Sequence, residues 1–131
     1  EEQAMAAYGR HLGTAFQLID DVFDYNSSPE ELGKNIGDDL AEGKPTLPLL
    51  YAMWHGNEAD TKIIHNAIEN GGLQHIDQIK AAIISTGAIS YTEKIAHEEA
   101  ELAIDAIKGL PPSEYLDALK TLAKFSVARQ Y

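Results

Sequence analysis

Three carboxylates lie within five positions of the sequence, at Asp20, Asp21 and Asp24, in a stretch that is otherwise apolar. On a helix, at about 100° per residue, Asp20 and Asp24 share an arc about 60° wide with Gly13 and Gln17. Asp21 falls about 80° from the centre of that arc, so it would neighbour a site there without being a direct ligand. Hard carboxylate oxygens suit Mg²⁺. The spacing therefore predicts a helix with an acidic face that binds a divalent cation.

A stretch rich in glycine and lysine follows, between residues 30 and 45. It includes Gly33, Lys34, Gly37, Asp38, Asp39, Gly43 and Lys44. Mg²⁺ bridges one or two carboxylates to phosphate oxygens, and a lysine ammonium can stabilise a departing diphosphate. With no base–nucleophile pair nearby, these residue types indicate a bound diphosphate. An apolar bundle beside it could house a hydrocarbon chain and keep water from a carbocation.

The elements that must position these residues are helices, because apolar residues recur at helical spacing and no segment alternates with period two. A first helix from Glu1 to Tyr25 is stopped by the turn ending at Pro29, since proline cannot continue the ladder. We predict a loop with at most one helical turn from Glu30 to Pro45, then further helices. These cover residues 46–55, 58–70 (closed by Gly71-Gly72), 76 to about 87, 90–108 (opened by a capping box at Ser90–Glu93) and 113 to about 130. The fold class is all-α, in one domain.

Composition and charge narrow the classes of function. The chain has 131 residues, 44% of them apolar, which is enough for one core. Its net charge of −11 argues against binding nucleic acid, and the absence of cysteine excludes disulfides and thiolate metal sites. No apolar run approaches the ~20 residues of a membrane span, and no signal peptide is visible, so we expect a cytoplasmic protein. The first residue is Glu1, and the apolar pattern already runs within a few positions of it, so we expect the chain to begin inside a helix and to belong to a larger protein.

Two other motifs can be tested against the acidic and glycine-rich stretches, and both fail. An EF-hand loop beginning at Asp20 would place Val22 where an oxygen ligand is needed and Tyr25 where glycine is needed. A Walker phosphate loop would find Asp38 at its first glycine and Pro45 in place of its hydroxyl residue.

A zinc site at His97 and Glu101 lacks a second histidine or cysteine, so an ordinary surface pair is favoured. The acidic residues of the same predicted helix are interpreted as a solvated face; they are Glu98, Glu99, Glu101 and Asp105.

Three linked motifs resemble the second half of the trans-isoprenyl diphosphate synthases, and most closely their bacterial long-chain members. They are Phe16-Gln17-x-x-Asp20-Asp21-x-x-Asp24, Gly33-Lys34-x-x-Gly37-Asp38-Asp39 and Glu42-Gly43-Lys44-Pro45-Thr46-Leu47-Pro48. The resemblance implies an all-α bundle in which two aspartate-rich motifs hold Mg²⁺ on an allylic diphosphate. In that family the diphosphate leaves, the allylic cation alkylates isopentenyl diphosphate, and a proton is lost.

Carried over residue by residue, the resemblance implies that Asp20 binds Mg²⁺ with Asp24 in support, and that Gln17 lies near the allylic cation. Lys34 and Lys44 would hold the allylic diphosphate.

Further roles follow less directly from the resemblance. Asp38 would bind near the substrate and orient the Mg²⁺ shell or Lys34 through hydrogen bonds. Asp21 is a weaker candidate for the metal, and Asp39 a weaker candidate for the site.

The chain departs from the family pattern in one large respect. Only one aspartate-rich motif is present, and the first motif, the residues that set product length and the basic cluster for isopentenyl diphosphate are missing. The only arginines, Arg10 and Arg129, lie in no basic cluster. We therefore expect a C-terminal portion of a homodimeric synthase, inactive alone. The alternatives are a non-catalytic partner subunit, which would lack the carboxylates or lysines, and a terpene cyclase, against which the Lys34–Pro48 segment argues.

Overall fold

A computed structural model describes residues 1–26, 28–71 and 74–128. In these residues it contains seven helices and no strand, which confirms the all-α prediction. The helices are α1 (Glu2–Tyr25), α2 (Pro29–Ala41), α3 (Leu47–His55), α4 (Glu58–Asn70), α5 (Ile76–Ser85), α6 (Ala88–Ala106) and α7 (Glu114–Ala128). None of the described helices is both long and apolar enough to cross a membrane.

The chain forms two compact units. The first comprises Glu1–Asp20 and the chain from Glu93 onwards, and the second comprises Asp21–Thr92. Helix α1 contributes to both, with its last five residues in the second.

The first unit packs around buried apolar side chains from α1, α6, the residue just after α6, and α7. Its buried cluster consists of Tyr8, Ala103, Ile107, Leu116 and Ala123. The Tyr8 hydroxyl donates to the carbonyl oxygen of Leu119 at 2.6 Å, so this buried polar atom is satisfied.

Two members of the predicted acidic face on α6 have partners in this unit. Glu99 is half-buried and lies 2.5 Å from His11, and the exposed Asp105 pairs with Lys108 at 3.2 Å. Glu98, Glu101 and Asp105 are exposed as expected.

The second unit packs α2 to α5 around one apolar cluster. Its fully buried large members are Tyr25, Ile36, Leu49, Ile64, Ile79 and Ile83. Helix α3 begins after Thr46 and ends before Gly56. Helix α4 ends at Asn70 and is capped by Gly71, whose φ of 64° is the left-handed conformation typical of a helix C-cap. The predicted ranges of these helices are therefore confirmed, although Gly72, predicted to help close α4, lies outside the described residues.

The prediction of a loop from Glu30 to Pro45 is wrong. Residues 29–41 form helix α2, which begins at an N-cap where the Ser28 side chain accepts a hydrogen bond from the amide of Glu31 at 3.3 Å. Leu32, Ile36 and Leu40 recur every four residues and are all buried, which anchors the helix on the core. Gly33 is tolerated because α5 packs against it: a Cβ there would lie 3.4 Å from the Ile76 side chain.

The capping box predicted at Ser90–Glu93 is also wrong. Helix α6 already begins at Ala88, because Gly87 takes a positive φ of 71° and its carbonyl accepts from the amide of Tyr91 at 3.0 Å. Thr92 instead donates its hydroxyl to the carbonyl of Ala88 at 2.8 Å, inside the helix. The last helix begins at Glu114, next to the predicted start, and the end predicted for it near Gln130 lies outside the described residues.

Candidate functional site

The acidic face of α1 is exposed and lies opposite the buried stripe of the same helix. Ala15, Ile19 and Val22 are buried at spacings of four and three residues, and Gln17 and Asp20 lie about half a turn away from them. Gly13 and Asp24 are exposed on the same face, so the arc predicted from the sequence is present. A second, apolar arc of the same helix is formed by Leu12, Phe16, Ile19 and Phe23. Ile19 is buried there, and the other three are half-buried.

The three carboxylates occupy two different environments. Asp20 and Asp24 are exposed, whereas Asp21 is 5% exposed. All three make interactions with the protein. Asp21 therefore does not share the acidic face, as expected from its angular offset.

The donor chemistry of this face fits a Mg²⁺ ion that is shared with a phosphate ligand. No group of three or more His, Asp or Glu side chains that could hold a metal is found in residues 1–26, 28–71 and 74–128. Mg²⁺, however, is commonly held by one or two carboxylates together with water and substrate phosphates. Asp20 and Asp24, one turn apart on α1, supply carboxylates in the number that such a shared site requires.

Lys34 and Lys44 both lie in the second unit, on or just after α2. Lys34 and Asp38 are exposed and one turn apart on that helix. Lys44 is positioned by a Schellman turn, in which Gly43 has a φ of 67° and donates its amide to the carbonyl of Leu40 at 3.1 Å. The amide of Lys44 then donates to the carbonyl of Asp39 at 2.8 Å, which fixes the backbone of this lysine to the end of the helix.

A buried tyrosine hydroxyl joins the three segments of the second unit that carry predicted site residues. The Tyr25 hydroxyl, at the end of α1, donates to a carboxylate oxygen of Asp39 on α2 at 2.8 Å. It accepts a hydrogen bond from the hydroxyl of Thr46, the N-cap of α3, at 3.0 Å. Tyr25 is 1% exposed and Thr46 is 4% exposed, so the bond between these two hydroxyls is shielded from water, whereas Asp39 is half-buried.

Electrostatics keep this hydroxyl protonated. Burial raises the pKa of Tyr25 well above its ordinary value, and the carboxylates of Asp39 and Asp21 raise it further, whereas the hydrogen bond from Thr46 lowers it. A neutral phenol can donate to Asp39 and accept from Thr46 at the same time. The direction of the bonds in this network is therefore fixed.

A second bond ties the end of α1 to α2. The side-chain amide of Asn35 donates to the backbone carbonyl of Asp24 at 2.6 Å. Because Asn35 follows Lys34 directly, this bond ties the residue beside the predicted lysine Lys34 to the backbone of the predicted metal ligand Asp24.

Sequence reasoning missed Tyr25, Thr46 and Asn35 as residues that organise this region. A weak signal was present, because Tyr25 follows Asp21 by one helical turn and would share its side of α1. Asp38 was the predicted site residue and Asp39 the weaker candidate, yet Asp39 is half-buried and bound to Tyr25, while Asp38 is exposed.

These features are those of an all-helical protein with an acidic helix face and a lysine-bearing segment, and the comparisons with known proteins identify the family. The model of the Polyprenyl synthetase family matches residues 1–85, and the chain belongs to this family.

Among curated relatives, octaprenyl diphosphate synthase of Haemophilus influenzae is 54% identical over 132 residues, matching 100% of this chain and 40% of its own length. Octaprenyl diphosphate synthase of Escherichia coli is 49% identical over 130 residues, matching 98% of this chain and 40% of its own length. The chain thus spans about 40% of the length of these relatives.

The fold has solved counterparts. A polyprenyl synthase from Caulobacter crescentus, complexed with calcium and isoprenyl diphosphate, is 38% identical with a TM-score of 0.73, covering 98% of this chain and 40% of that one. A decaprenyl diphosphate synthase from Rhodobacter capsulatus is 32% identical with a TM-score of 0.78, covering 95% of this chain and 39% of that one.

Proposed function

We propose that this chain is the C-terminal portion of a single synthase domain in a Mg²⁺-dependent trans-polyprenyl diphosphate synthase. The enzyme would condense isopentenyl diphosphate with an allylic diphosphate to give a long-chain product of the octaprenyl type. The observation that carries the proposal is the exposed face of α1, where Gln17, Asp20 and Asp24 lie together opposite the buried stripe. The octaprenyl diphosphate synthases of two bacteria among the relatives, and the calcium and isoprenyl diphosphate in one structural counterpart, support it.

Each residue of the site has a role that its chemistry allows. Asp20 and Asp24 would bind Mg²⁺, and the ion would neutralise charge on the leaving diphosphate. Asp21, the weaker candidate for the metal, is buried off this face and would neighbour the ion without binding it directly. Lys34 and Lys44 would hold the same diphosphate and stabilise the charge that it gains when the bond to the allylic carbon breaks.

The remaining groups act beside the diphosphate. Gln17 would turn its amide oxygen toward the positive charge on the allyl group. Asp38 would orient Lys34 one turn away on α2. Attack by the double bond of isopentenyl diphosphate on the allylic carbon, followed by loss of a proton, completes the condensation.

The metal assignment is tested by Asp20→Asn in the full-length enzyme, assayed with an allylic diphosphate, isopentenyl diphosphate and varied Mg²⁺. We expect the rate at saturating substrate to fall by roughly a hundredfold, as for the loss of one group that stabilises charge in the transition state, and the Mg²⁺ requirement to rise. Glu98→Gln, which neutralises an exposed carboxylate on α6, is the matched control and should leave both unchanged. An Asp20→Asn enzyme with a wild-type rate and Mg²⁺ dependence would show that Asp20 is not a ligand.

The same assay distinguishes an autonomous synthase from the alternative, a non-catalytic partner subunit. If the full-length protein turns over only when a second, different subunit is added, the partner-subunit role is favoured over an autonomous synthase. The 131-residue chain alone, which has a single aspartate-rich motif, should show no turnover. Homodimerisation of the full-length protein and a cytoplasmic location stay predictions.

A further inference from the structure

The hydroxyl of Tyr25 is the point at which the predicted site segments of the second unit meet. Among the described residues two tyrosines are buried, Tyr8 and Tyr25. Tyr8 donates to one backbone carbonyl, that of Leu119, whereas Tyr25 bonds two side chains on two other elements. A phenylalanine would fill the space of either ring, so what the hydroxyl of Tyr25 adds is the relative placement of its partners.

Tyr25 and its two partners each lie close to a predicted site residue, either the metal ligand Asp24 or the diphosphate-binding Lys44. Tyr25 itself follows Asp24 directly. Thr46 lies two residues after Lys44, and Asp39 is the residue whose carbonyl accepts the amide of Lys44 in the Schellman turn. The two bonds to the phenol therefore fix both ends of the segment that carries Lys44.

The network is built in a place where an unsatisfied polar atom would be costly. Tyr25 belongs to the apolar cluster of the second unit together with Ile36, Leu40 and Leu49. A buried hydroxyl that loses its partner there, as that of Tyr25 or Thr46 would, costs about 1–3 kcal/mol. Alternative positions of Asp39 and Thr46 are therefore disfavoured, and the segment between them is held in one conformation.

We propose that Tyr25 is a positioning residue, whose hydroxyl fixes the Lys44 segment, through Asp39 and Thr46, relative to Asp24, so that both meet the same diphosphate. The inference rests on the proposed function, because it assumes that Asp24 and Lys44 serve one diphosphate. The phenol itself touches neither substrate nor metal and acts through its two partners.

The test compares Tyr25→Phe with Tyr8→Phe in the full-length enzyme, because both remove one buried phenol hydroxyl and keep the ring. For Tyr25→Phe we expect kcat/KM for the allylic diphosphate to fall about tenfold, as for the loss of a hydrogen bond to a charged group. The KM for isopentenyl diphosphate should stay unchanged. Tyr8→Phe should leave both constants unchanged, and equal losses in the two variants would overturn the proposal, because the effect would then be one of general stability.

Thr46 supplies a second, independent pair of variants. Thr46→Val removes the donor to Tyr25 and should reproduce the loss seen in Tyr25→Phe, whereas Thr46→Ser keeps the hydroxyl and should restore most of the activity. The double variant of Tyr25→Phe and Thr46→Val should lose less than the product of the two single losses, because both remove the same bond. Full additivity, or a Thr46→Ser enzyme as impaired as Thr46→Val, would contradict the network.

A binding measurement separates this inference from the proposed function. Inorganic pyrophosphate is titrated into the wild-type and Tyr25→Phe enzymes in the presence of Mg²⁺, and the Kd is measured by calorimetry. About tenfold weaker binding by the variant supports the positioning role even if the wild-type protein proves inactive with prenyl substrates, an outcome that would refute only the synthase assignment. Equal Kd values for the two proteins overturn the positioning role whatever the prenyltransferase assay gives.

Discussion

Replacing Ile36 by alanine tests whether residues 29–41 form a packed helix. The Ile36 side chain is fully buried in the cluster of the second unit. The change removes three buried carbons, each of which contributes about 0.8 kcal/mol to the free energy of unfolding, so the loss is roughly 2.4 kcal/mol. The cavity that remains adds to this loss, within the range of about 2–5 kcal/mol found for such substitutions. Since about 1.4 kcal/mol corresponds to a factor of ten in an equilibrium constant, the equilibrium constant for local opening of α2 should rise at least about 50-fold.

Hydrogen exchange measured by mass spectrometry in the full-length enzyme reports this opening directly. Amides of α2 should be protected in the wild type and should exchange at least about 50-fold faster in Ile36→Ala, because exchange follows the local free energy of opening. Ile84→Ala is the matched control, since that isoleucine is 68% exposed on α5 and its loss should change exchange little. Unprotected α2 amides in the wild type, or equal effects of the two substitutions, would refute the packed helix.

Further predictions concern the N-cap of α2 at Ser28, the turn at Gly43 and the buried hydroxyl of Tyr8. Ser28→Ala removes the N-cap of α2 and should lower stability by about 1 kcal/mol, seen as faster exchange in the first turn of that helix. Gly43→Ala places a side chain on a residue with a φ of 67°, which should lower stability by about 1 kcal/mol, and it should weaken pyrophosphate binding because Lys44 is displaced. Burial raises the pKa of Tyr8, so its contribution to stability is present below the unfolded value of about 10 and is lost as the pH rises through the folded value. Alkaline unfolding followed by circular dichroism should therefore show a smaller loss of stability with pH in Tyr8→Phe, and an unchanged pH profile would contradict this.

The acidic face of α1 could be predicted because it depends only on the helical period. Gln17, Asp20 and Asp24 share a face on any continuous helix, and α1 is continuous from Glu2 to Tyr25. The offset of Asp21 followed from the same geometry. Its burial did not, because burial depends on what packs against that side of the helix.

Helix α2 was missed because local propensity was weighed above periodicity. Gly33 and Gly37 disfavour a helix by roughly 1 kcal/mol each, and this low propensity favoured the prediction of a loop. Two features favour the helix instead: Ser28-Pro29 is a typical helix start, and Leu32, Ile36 and Leu40 recur every four residues. Packing outweighs the low propensity of the glycines, since α5 lies directly against Gly33. The Tyr25 network could not be predicted from the sequence, because its partners Asp39 and Thr46 are 14 and 21 residues away and meet Tyr25 only through the tertiary fold.

The two hydrogen bonds to Tyr25 also constrain the length of the chain. Residues 39 and 46 are tied to the same oxygen atom, so the segment between them is closed into a ring. Surface loops usually accept insertions and deletions, but a residue added or removed between Glu42 and Pro45 would break one of these bonds or unwind the Schellman turn. Transfer of this lysine-bearing segment into another helical bundle would likewise require a tyrosine at the end of the preceding helix to hold it closed.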